Sequence, residues 1–324
     1  MTSSELTRIH DAAESGQAIT EDLALAVLRS SAADLPHVFS AASSARHRHF
    51  GDSVLLCSIL NARSGACSED CAFCAQASCH DTQVGLSALL SEDEMLEAYT
   101  SAATLPVTHF GIVTSGGALP SSGIDRICSV IQKKKIPPVN WCASLGCLEP
   151  DQLAALEKAG LKRFHHNLET AASFFPEICT THSYERRLET VRGARAAGLE
   201  VCCGGILGLG ESLEQRVELA FILAREAVDA IPLNFLIPIP GTRLDHLGPM
   251  KPFDILRAVA MFRLTNPRAE VKVCAGRVHL RDLQSMIFYA GANSMMIGHL
   301  LTVAGQDPAR DVQMLRDLEV AYAV

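Results

Sequence analysis

The chain has 324 residues, 48% of them hydrophobic, which is enough for a substantial core in one large α/β domain or in two average domains. Its formal net charge of -8, without a cluster of basic and aromatic residues, argues against a nucleic-acid surface, because phosphate binding needs concentrated Lys and Arg. No apolar run reaches the roughly 20 residues that cross a bilayer, and the polar opening lacks the apolar core of a signal peptide, so we expect a cytoplasmic protein that acts on a small molecule.

Secondary structure is predicted in chain order from the hydrophobic pattern. A polar, Ala-rich helical leader covers residues 1–50, and short β-branched runs then alternate with amphipathic helical stretches, as repeated βα units do. A capping box at Ser91 and Glu94 predicts a helix start, and Gly160 and Gly198 are predicted C-terminal caps. Strands are predicted near residues 54–59, 107–113, 139–144, 163–167, 200–207, 230–237, 271–275 and 294–297.

Eight predicted strands favour an α/β fold of the (βα)8 TIM-barrel type with parallel strands. Because no low-complexity linker or fixed-period repeat divides the chain, we expect one barrel with a C-terminal segment at residues 51–324 and an N-terminal helical extension at residues 1–50. Active sites of such barrels lie at the C-terminal ends of the strands, so functional residues are expected in the loops that follow them.

Twelve cysteines are many for a reducing compartment, where excess thiols indicate metal binding or catalysis rather than disulfides. Directly after the first predicted strand, Cys67, Cys71 and Cys74 are separated by three and two residues. A [4Fe–4S] cluster normally takes four thiolates, so three thiolates leave one iron open to an external ligand. Zinc is the main alternative, with Cys79 or His80 as the fourth ligand, although structural zinc sites usually pair two CxxC-like knuckles or CxxC with HxxxH.

The CxxxCxxC spacing, with the aromatic Phe73 before the last cysteine, resembles the signature of the radical S-adenosylmethionine (SAM) superfamily. The resemblance implies that the methionine amine and carboxylate of SAM chelate the open iron of a [4Fe–4S] cluster. It further implies that an electron from the cluster cleaves the sulfonium to a 5′-deoxyadenosyl radical, which abstracts hydrogen from an unactivated C–H bond.

Downstream segments at residues 167–170, 183–187, 204–211 and 290–294 resemble the biotin synthase family in order and spacing, over about residues 50–315. The resemblance implies a sulfurtransferase that inserts sulfur between C6 and C9 of dethiobiotin. It also implies a homodimer, with a flavodoxin or ferredoxin as the electron donor.

The same resemblance assigns cofactor roles. Glu169 corresponds to the position that binds the SAM ribose, and Arg187 to the position that binds the SAM carboxylate, which suits an Arg fork. The glycine-rich segment is assigned to the adenine side, because glycines let the backbone approach a flat ring, and its residues there are Gly204, Ile206, Gly208 and Glu211. Taken alone, these features would more often be a solvated charge and an ordinary strand-to-helix turn.

Substrate contacts are implied in the same way. Asn167 and Asn234 match the family positions that hydrogen-bond the ureido ring of dethiobiotin, whose donors and acceptors an amide side chain complements. His165 stands where the family more often has Asn, and Thr302 is matched to the substrate carboxylate. A buried Asn elsewhere in a barrel would usually bond backbone instead.

A second iron–sulfur site departs from the family pattern. Known members hold a [2Fe–2S] cluster on three cysteines and one arginine, and this chain has Gly111 and Lys272 at two of those positions. Four cysteines nevertheless lie on the first, third, fifth and seventh predicted strands, which supply one interior layer of a barrel: Cys57, Cys142, Cys202 and Cys274. Cys203, one residue beyond Cys202, is expected to face the helix layer.

From this placement we hypothesise an all-cysteine auxiliary cluster larger than [2Fe–2S], of the [4Fe–4S] type with an additional sulfide for delivery to the substrate. Lys272 is then expected as a cation beside the thiolates rather than as a ligand. The alternatives are a layer of buried cysteines that merely pack, or a site emptied by loss of the family's ligands. Packing is also the prediction for the lone Cys128, Cys147 and Cys179.

Two other functions stay open on the sequence alone. One is another radical SAM enzyme, of the hydrogenase-maturase or methylornithine-synthase kind, that keeps the cysteine loop but inserts no sulfur. The other is a non-catalytic iron–sulfur sensor or zinc-binding protein, which would bind no SAM.

Overall fold

Parallel strands form a closed barrel at the centre of the fold, which the computed structural model describes over residues 1–302 and 305–322. Strand β1 pairs with β9 to close the barrel, and β10 pairs with the first residues of β1. The strands are β1 (Ser53–Arg63), β2 (His109–Thr114), β3 (Asn140–Ser144), β4 (Arg163–His165), β5 (Glu200–Cys202), β6 (Gly205–Leu207), β7 (Ala230–Phe235), β8 (Glu270–Val273), β9 (Ser294–Met296) and β10 (Ala321–Tyr322). With β5 and β6 sharing the fifth position, the predicted barrel of 8 parallel strands is confirmed.

Helices cover the outside of the barrel and bury their apolar faces against the strands. Three of them precede β1, and the others follow the strands in turn. They are α1 (Ser3–Ser15), α2 (Glu21–Leu28), α3 (Leu35–Phe50), α4 (Glu92–Ala102), α5 (Ser121–Lys133), α6 (Pro150–Ala159), α7 (Phe175–Ile178), α8 (Tyr184–Ala196), α9 (Leu213–Arg225), α10 (Pro252–Thr265), a 3-10 helix (Arg277–Leu283), α11 (Met286–Tyr289) and α12 (Pro308–Asp317).

The fifth predicted strand, at residues 200–207, is interrupted at Cys203 and Gly204. The neighbouring β7 contains Pro232, which has no N–H to donate to the ladder. The two backbone segments also approach closely there, because a Cβ on Gly204 would lie 2.1 Å from the Pro232 carbonyl oxygen. The prediction of one continuous strand was therefore wrong, and two short strands, β5 and β6, take its place.

Local helix signals agree with the structure at most ends. Ser91 and Glu94 form the predicted capping box at the start of α4, and Gly160 caps α6 in the left-handed conformation with φ 102. At α8 the cap is Ala197, and Gly198 follows one residue later with φ 88. The left-handed residue is thus the predicted Gly198, one residue beyond the observed cap Ala197.

Both ends of the chain pack on the barrel. The Ile19 amide donates to the Leu264 carbonyl at 3.0 Å, which ties the N-terminal helices to α10. In the C-terminal segment, Arg277 makes a buried bidentate pair with Asp311 on α12, at 2.7 and 2.8 Å. Across the described residues, none of the helices is both long and apolar enough to cross a membrane.

Candidate active site

One cavity inside the barrel, of about 630 Å³, gathers most of the predicted site residues. It is lined by the three cysteines of the loop after β1 and by four cysteines on or directly after the strands, the strand cysteines: Cys67, Cys71 and Cys74, and Cys57, Cys142, Cys202 and Cys274. The same wall includes most of the residues matched to SAM and substrate: Phe73, Glu169, Arg187, Ile206, Asn167, Asn234, His165 and Thr302. Most of the sequence-predicted residues therefore line one cavity, which extends from the interior of the barrel to the loops that follow the strands.

The cysteine loop folds back on itself through its own backbone. The Cys67 carbonyl accepts from the Ser78 amide at 2.8 Å, and the Cys74 amide donates to the Cys71 carbonyl at 2.9 Å. Cys67 and Cys71 are each 8% exposed, and burial raises the pKa of the Cys74 thiol to about 11. Three such thiols on one loop match the donor set expected for a [4Fe–4S] cluster with one iron left open.

Geometry does not favour the zinc alternative at this loop. Cys79 is exposed, and neither it nor His80 lines the cavity that holds the other thiols. The His80 ring turns to the backbone, with Nδ1 2.9 Å from the Cys74 carbonyl oxygen. A tetrahedral site completed by either side chain is therefore not formed in this loop.

The four strand cysteines are enclosed by the barrel. Cys57, Cys202 and Cys274 are buried, and Cys142 is half-buried. Burial raises the pKa of the Cys142 thiol to about 12, so this thiol stays protonated unless a cation or metal takes its proton's place. Cys203 does not line the cavity and is fully buried in the core, so it faces the helix layer as expected.

Charged side chains lie beside these thiols. Lys272 Nζ is 3.2 Å from Glu270 Oε1, and Arg163 Nη1 donates to Glu270 Oε2 at 2.7 Å. Burial opposes the charge of Lys272, but Cys57 and Glu270 outweigh it and raise the pKa of Lys272. Two cations thus remain charged next to four thiols, an arrangement that would balance the negative charge of a thiolate cluster.

Glu169 and Arg187 meet in the wall of the same cavity. Arg187 Nη1 donates to the Asn167 carbonyl at 2.9 Å and lies 3.4 Å from Glu169 Oε1. Glu169 has a left-handed backbone with φ 68. Gly205 lets this backbone approach closely, because a Cβ on Gly205 would lie 2.4 Å from the Glu169 carbonyl oxygen. Strain of this kind in a non-glycine residue often marks a functional site.

The glycine-rich segment divides into a cavity residue and a structural turn. Ile206 lines the cavity, whereas Gly204, Gly208 and Glu211 do not. Glu211 accepts from the amides of Gly208 and Leu209 at 2.8 and 2.7 Å and pairs with Arg216 at 2.7 Å. The carboxylate of Glu211 is therefore used within the protein, where it holds the turn.

The two asparagines matched to the substrate already bond backbone. Asn167 Oδ1 accepts from the Gly204 amide at 3.1 Å, and Asn234 Oδ1 accepts from the Ala275 amide at 3.1 Å. An amide side chain offers two donors and two acceptor sites, so each keeps capacity for a ligand. His165 Nδ1 lies 3.4 Å from Cys202 Sγ, and burial lowers the pKa of His165 to about 4, which keeps the ring neutral.

Sequence reasoning missed a group next to the cysteine loop. Glu69, Cys179 and His182 place their ligand atoms within 4.8 Å of one another. Cys179, predicted only to pack, is buried with its Sγ 3.9 Å from Cys71 Sγ. The available signal was an acidic residue inside the cysteine motif and a histidine five residues before Arg187, but only the fold brings them together.

Two protein-family models match the chain. The model of the Radical SAM superfamily matches residues 62–223. The model of the Biotin and Thiamin Synthesis associated domain matches residues 232–321. Together they extend over both the cysteine loop and the C-terminal strands of the barrel.

Curated relatives are similar over nearly the whole chain. A biotin synthase of Maridesulfovibrio salexigens is 50% identical over 98% of this chain and 98% of its own length. Biotin synthases of Nitratidesulfovibrio vulgaris and Geotalea uraniireducens are 47% and 45% identical, over 93% and 95% of this chain and 86% and 94% of their own lengths.

Solved structures share the fold at low identity. A methylornithine synthase superposes with a TM-score of 0.85 at 17% identity, over 98% of this chain and 97% of that one. A maturase of the [FeFe]-hydrogenase gives 0.82 at 17% identity, over 98% and 75%. At this identity the likeness concerns the fold and carries no argument about the reaction.

Proposed function

Because the chain belongs to the biotin synthase family of the radical SAM superfamily, we propose residue roles for sulfur insertion into dethiobiotin. It is a sulfurtransferase that uses a [4Fe–4S] cluster and SAM to make biotin. The observation that carries the residue roles is the single cavity lined by loop thiols, strand thiols and the Glu169–Arg187 pair. A maturase or methylornithine synthase activity is not favoured, because those proteins are only 17% identical to this chain.

We assign the [4Fe–4S] cluster to Cys67, Cys71 and Cys74, with Phe73 packed beside them. When bound, the cluster supplies the electron that cleaves SAM reductively. The loop residues have two tasks in this assignment. They provide thiolates for three irons, and they provide no fourth protein thiolate from their own loop, which leaves room for SAM.

Arg187 and Glu169 are assigned to SAM. The Arg187 guanidinium is held at Nη1 and Nε by protein acceptors, and it lines the cavity where a carboxylate can bind. Glu169 is assigned to the ribose hydroxyls, and Ile206 to the adenine face. Gly204, Gly208 and Glu211 support this wall by shaping the turn, rather than by contact from within the cavity.

The auxiliary cluster is assigned to Cys57, Cys142, Cys202 and Cys274, as a [4Fe–4S]-type cluster with an additional sulfide that is transferred to the substrate. Support comes from the shared burial of these thiols in the cavity wall and from the cationic neighbours Lys272 and Arg163. The chain's residues would bind the cluster and offset its charge, and they would keep water from it by burial.

Dethiobiotin is proposed to bind between the two thiol groups, with its ureido ring at Asn167, Asn234 and His165 and its carboxylate at Thr302. Each of these side chains lines the cavity. The remaining proposals are coarser. They comprise a homodimer, a flavodoxin or ferredoxin donor, a cytoplasmic location, and division into an N-terminal extension at 1–50 and a barrel at 51–324.

The decisive experiment is anaerobic reconstitution with iron and isotopically labelled sulfide, followed by reduction with SAM and dethiobiotin. We expect about eight irons per chain, four for each cluster, and labelled biotin in the mass spectrum. Biotin without label would overturn the proposed sulfur donor. A lone zinc ion in the cysteine loop, or SAM cleavage without biotin, would overturn the assignment of the site.

A further inference from the structure

We propose that His182, itself held by Glu69, is a positioning residue that fixes the Arg187 guanidinium relative to the cysteine loop. The inference rests on the proposed function, because it concerns the group assigned to the SAM carboxylate. Glu69 lies inside the cysteine motif, and Arg187 lies on α8. His182 connects them, although nothing in the sequence pattern places the three residues together.

Hydrogen bonds connect the three side chains in the order Arg187, His182 and Glu69. Arg187 Nε donates to His182 Nε2 at 2.9 Å. Because Nε2 accepts this hydrogen, the ring proton of a neutral His182 resides on Nδ1. Nδ1 then donates to Glu69 Oε2 at 2.6 Å. Carboxylate, imidazole and guanidinium thus form one directed chain from the cysteine loop to the cavity wall.

This hydrogen-bonded series leaves one nitrogen of the Arg187 guanidinium available for a ligand. Nε is bound by His182 and Nη1 by the Asn167 carbonyl, whereas Nη2 has no hydrogen-bond partner in the parts of the chain that the structure describes. Phe175 packs edge-on against the His182 ring, with centroids 5.6 Å apart, and Arg187 lies over the same Phe175 ring at 5.7 Å. The guanidinium is therefore held on two sides, and Arg187 lines the cavity with donor capacity left at Nη2.

A separate set of contacts fastens the backbone of this segment. Asp70 accepts from the Thr180 amide at 2.9 Å and from the Thr180 hydroxyl at 2.6 Å, and the Ala72 amide donates to the Ile178 carbonyl at 2.8 Å. These contacts bring residues 178–182 against the cysteine loop without touching Arg187. The position of His182 is thus fixed independently, and its side chain can transmit that position to the guanidinium.

A metal ion bound by Glu69, Cys179 and His182 is the competing interpretation of this group. A metal on Nδ1 of a neutral imidazole would leave the hydrogen on Nε2, where it would face the Arg187 N–H donor. It would also add positive charge beside a buried guanidinium. The observed donor and acceptor order therefore favours a hydrogen-bonded chain.

Positioning matters here because SAM would be held at two points. Its carboxylate would contact both the open iron and Arg187, so the distance from the loop to the guanidinium must suit one ligand. Two binding groups that are already in place before the ligand binds raise its affinity without any new contact, because binding then does not have to order their side chains. Glu69 and His182 would supply that ordering.

The test is a double-mutant cycle with His182→Phe and Arg187→Met, measured on anaerobically reconstituted protein. SAM binding is followed by the change that SAM causes in the EPR spectrum of the reduced loop cluster, and iron is measured in parallel. We expect His182→Phe to weaken SAM binding on the order of 10-fold, the size of a lost hydrogen bond to a charged group, with iron content unchanged. In the Arg187→Met background the same change should have almost no effect.

Matched variants distinguish loss of the positioning role of His182 from general damage to the fold. His182→Gln, which keeps an acceptor for Arg187 and a donor for Glu69, should recover most of the affinity. His37→Gln on the exposed face of α3 should bind SAM as the wild type does. KM for dethiobiotin should stay unchanged in His182→Phe, whereas KM for SAM should rise.

The inference would be overturned by an equal loss of SAM affinity in both backgrounds, by a loss of iron in His182→Phe, or by stoichiometric zinc in the wild type that His182→Phe removes. A wild type that binds no SAM would instead refute the proposed function itself. SAM binding that depends on Arg187 but not on His182 would refute only the positioning role.

Discussion

Lys272 Nζ lies 3.2 Å from Glu270 Oε1 in the barrel wall, and both side chains are almost completely buried. Arg163 binds the other carboxylate oxygen of Glu270 at 2.7 Å, so one acid lies between two cations. Together the cations hold the pKa of Glu270 below its usual range against the opposing effect of burial. Arg163 also pairs with Glu200 at 2.9 Å, so Lys272 is the cation of this group that lies beside Cys57 and could offset the charge of an anionic cluster.

Replacing Lys272 by Met should lower the free energy of unfolding by about 3 kcal/mol, because it leaves a buried carboxylate with one cation instead of two. Chemical denaturation of the metal-free protein measures this. Lys162→Met is the control, since Lys162 forms a more exposed pair with Glu200. This substitution should lower the free energy of unfolding by less than about 1 kcal/mol. Equal effects of the two variants would contradict a special role for the buried pair.

Cys202 and Cys203 provide a matched pair for the auxiliary cluster. Only Cys202 lines the cavity, so Cys202→Ala should remove about four irons per chain while Cys203→Ala keeps the wild-type content. The EPR signal of the loop cluster should survive in both. Cys57→Ser and Cys274→Ser should behave as Cys202→Ala does, and unchanged iron in all three would exclude the cluster.

Arg187→Lys should weaken SAM binding about 10- to 100-fold, because an ammonium cannot reproduce the fixed fork that bonds His182 and Asn167 while facing a ligand. Isothermal titration of the reconstituted protein with SAM gives the affinity. Arg192→Lys on the same helix is the control, since Arg192 pairs with Glu226 at the surface. Wild-type affinity in the Arg187→Lys variant would remove Arg187 from the cofactor site.

His109 gives a pH-dependent contribution to stability. Burial lowers the pKa of His109 to about 3, whereas an unfolded chain protonates it near 6.5. Between those values the unfolded state binds the proton and the folded state does not, so stability falls as pH falls and the loss saturates below about 3. From pH 7 to pH 5 the metal-free wild type should lose about 2 kcal/mol more than His109→Gln. Parallel curves for both proteins would show that His109 titrates normally.

Asp311→Asn should lower the free energy of unfolding by about 3 kcal/mol, because Arg277 would lose its charged partner inside the C-terminal segment. Hydrogen exchange should rise in α12 before it rises in the barrel strands. The control is Asp254→Asn, whose half-exposed carboxylate pairs with Arg257 three residues away on one helix. Exchange that rises uniformly would mean that the pair does not hold this segment locally.

The barrel and its cysteine layer were predictable because both follow from periodic rules. Eight hydrophobic runs set the strands, and alternate strands share a layer, which places Cys57, Cys142 and Cys202 in one cavity wall. The loop thiols were predictable from spacing alone. These features depend on local sequence or on a symmetry of the fold, so no side-chain contact had to be known.

Other features depend on contacts between distant residues. The break in the fifth strand arises from Pro232 on the neighbouring strand. Within segment 200–207, the only residue that indicates a break is the flexible Gly204. Glu211 is predicted from the sequence to be a cofactor-binding residue, but its carboxylate accepts hydrogen bonds from two amides of its own turn. His182 gave only a weak signal, its position five residues before Arg187, because its other partner, Glu69, lies more than a hundred residues away in the sequence.

The attachment of Asp70 to Thr180 has a consequence for how the enzyme matures. During synthesis, the three loop thiols emerge about 110 residues before the segment that clamps their loop. A growing chain therefore carries the ligands without the anchor, and the loop reaches its final shape only after the fourth βα unit has folded. Stable iron binding by this loop is expected to require the anchoring segment near Thr180, so a ribosome-bound fragment ending near residue 160 should acquire no stable loop cluster.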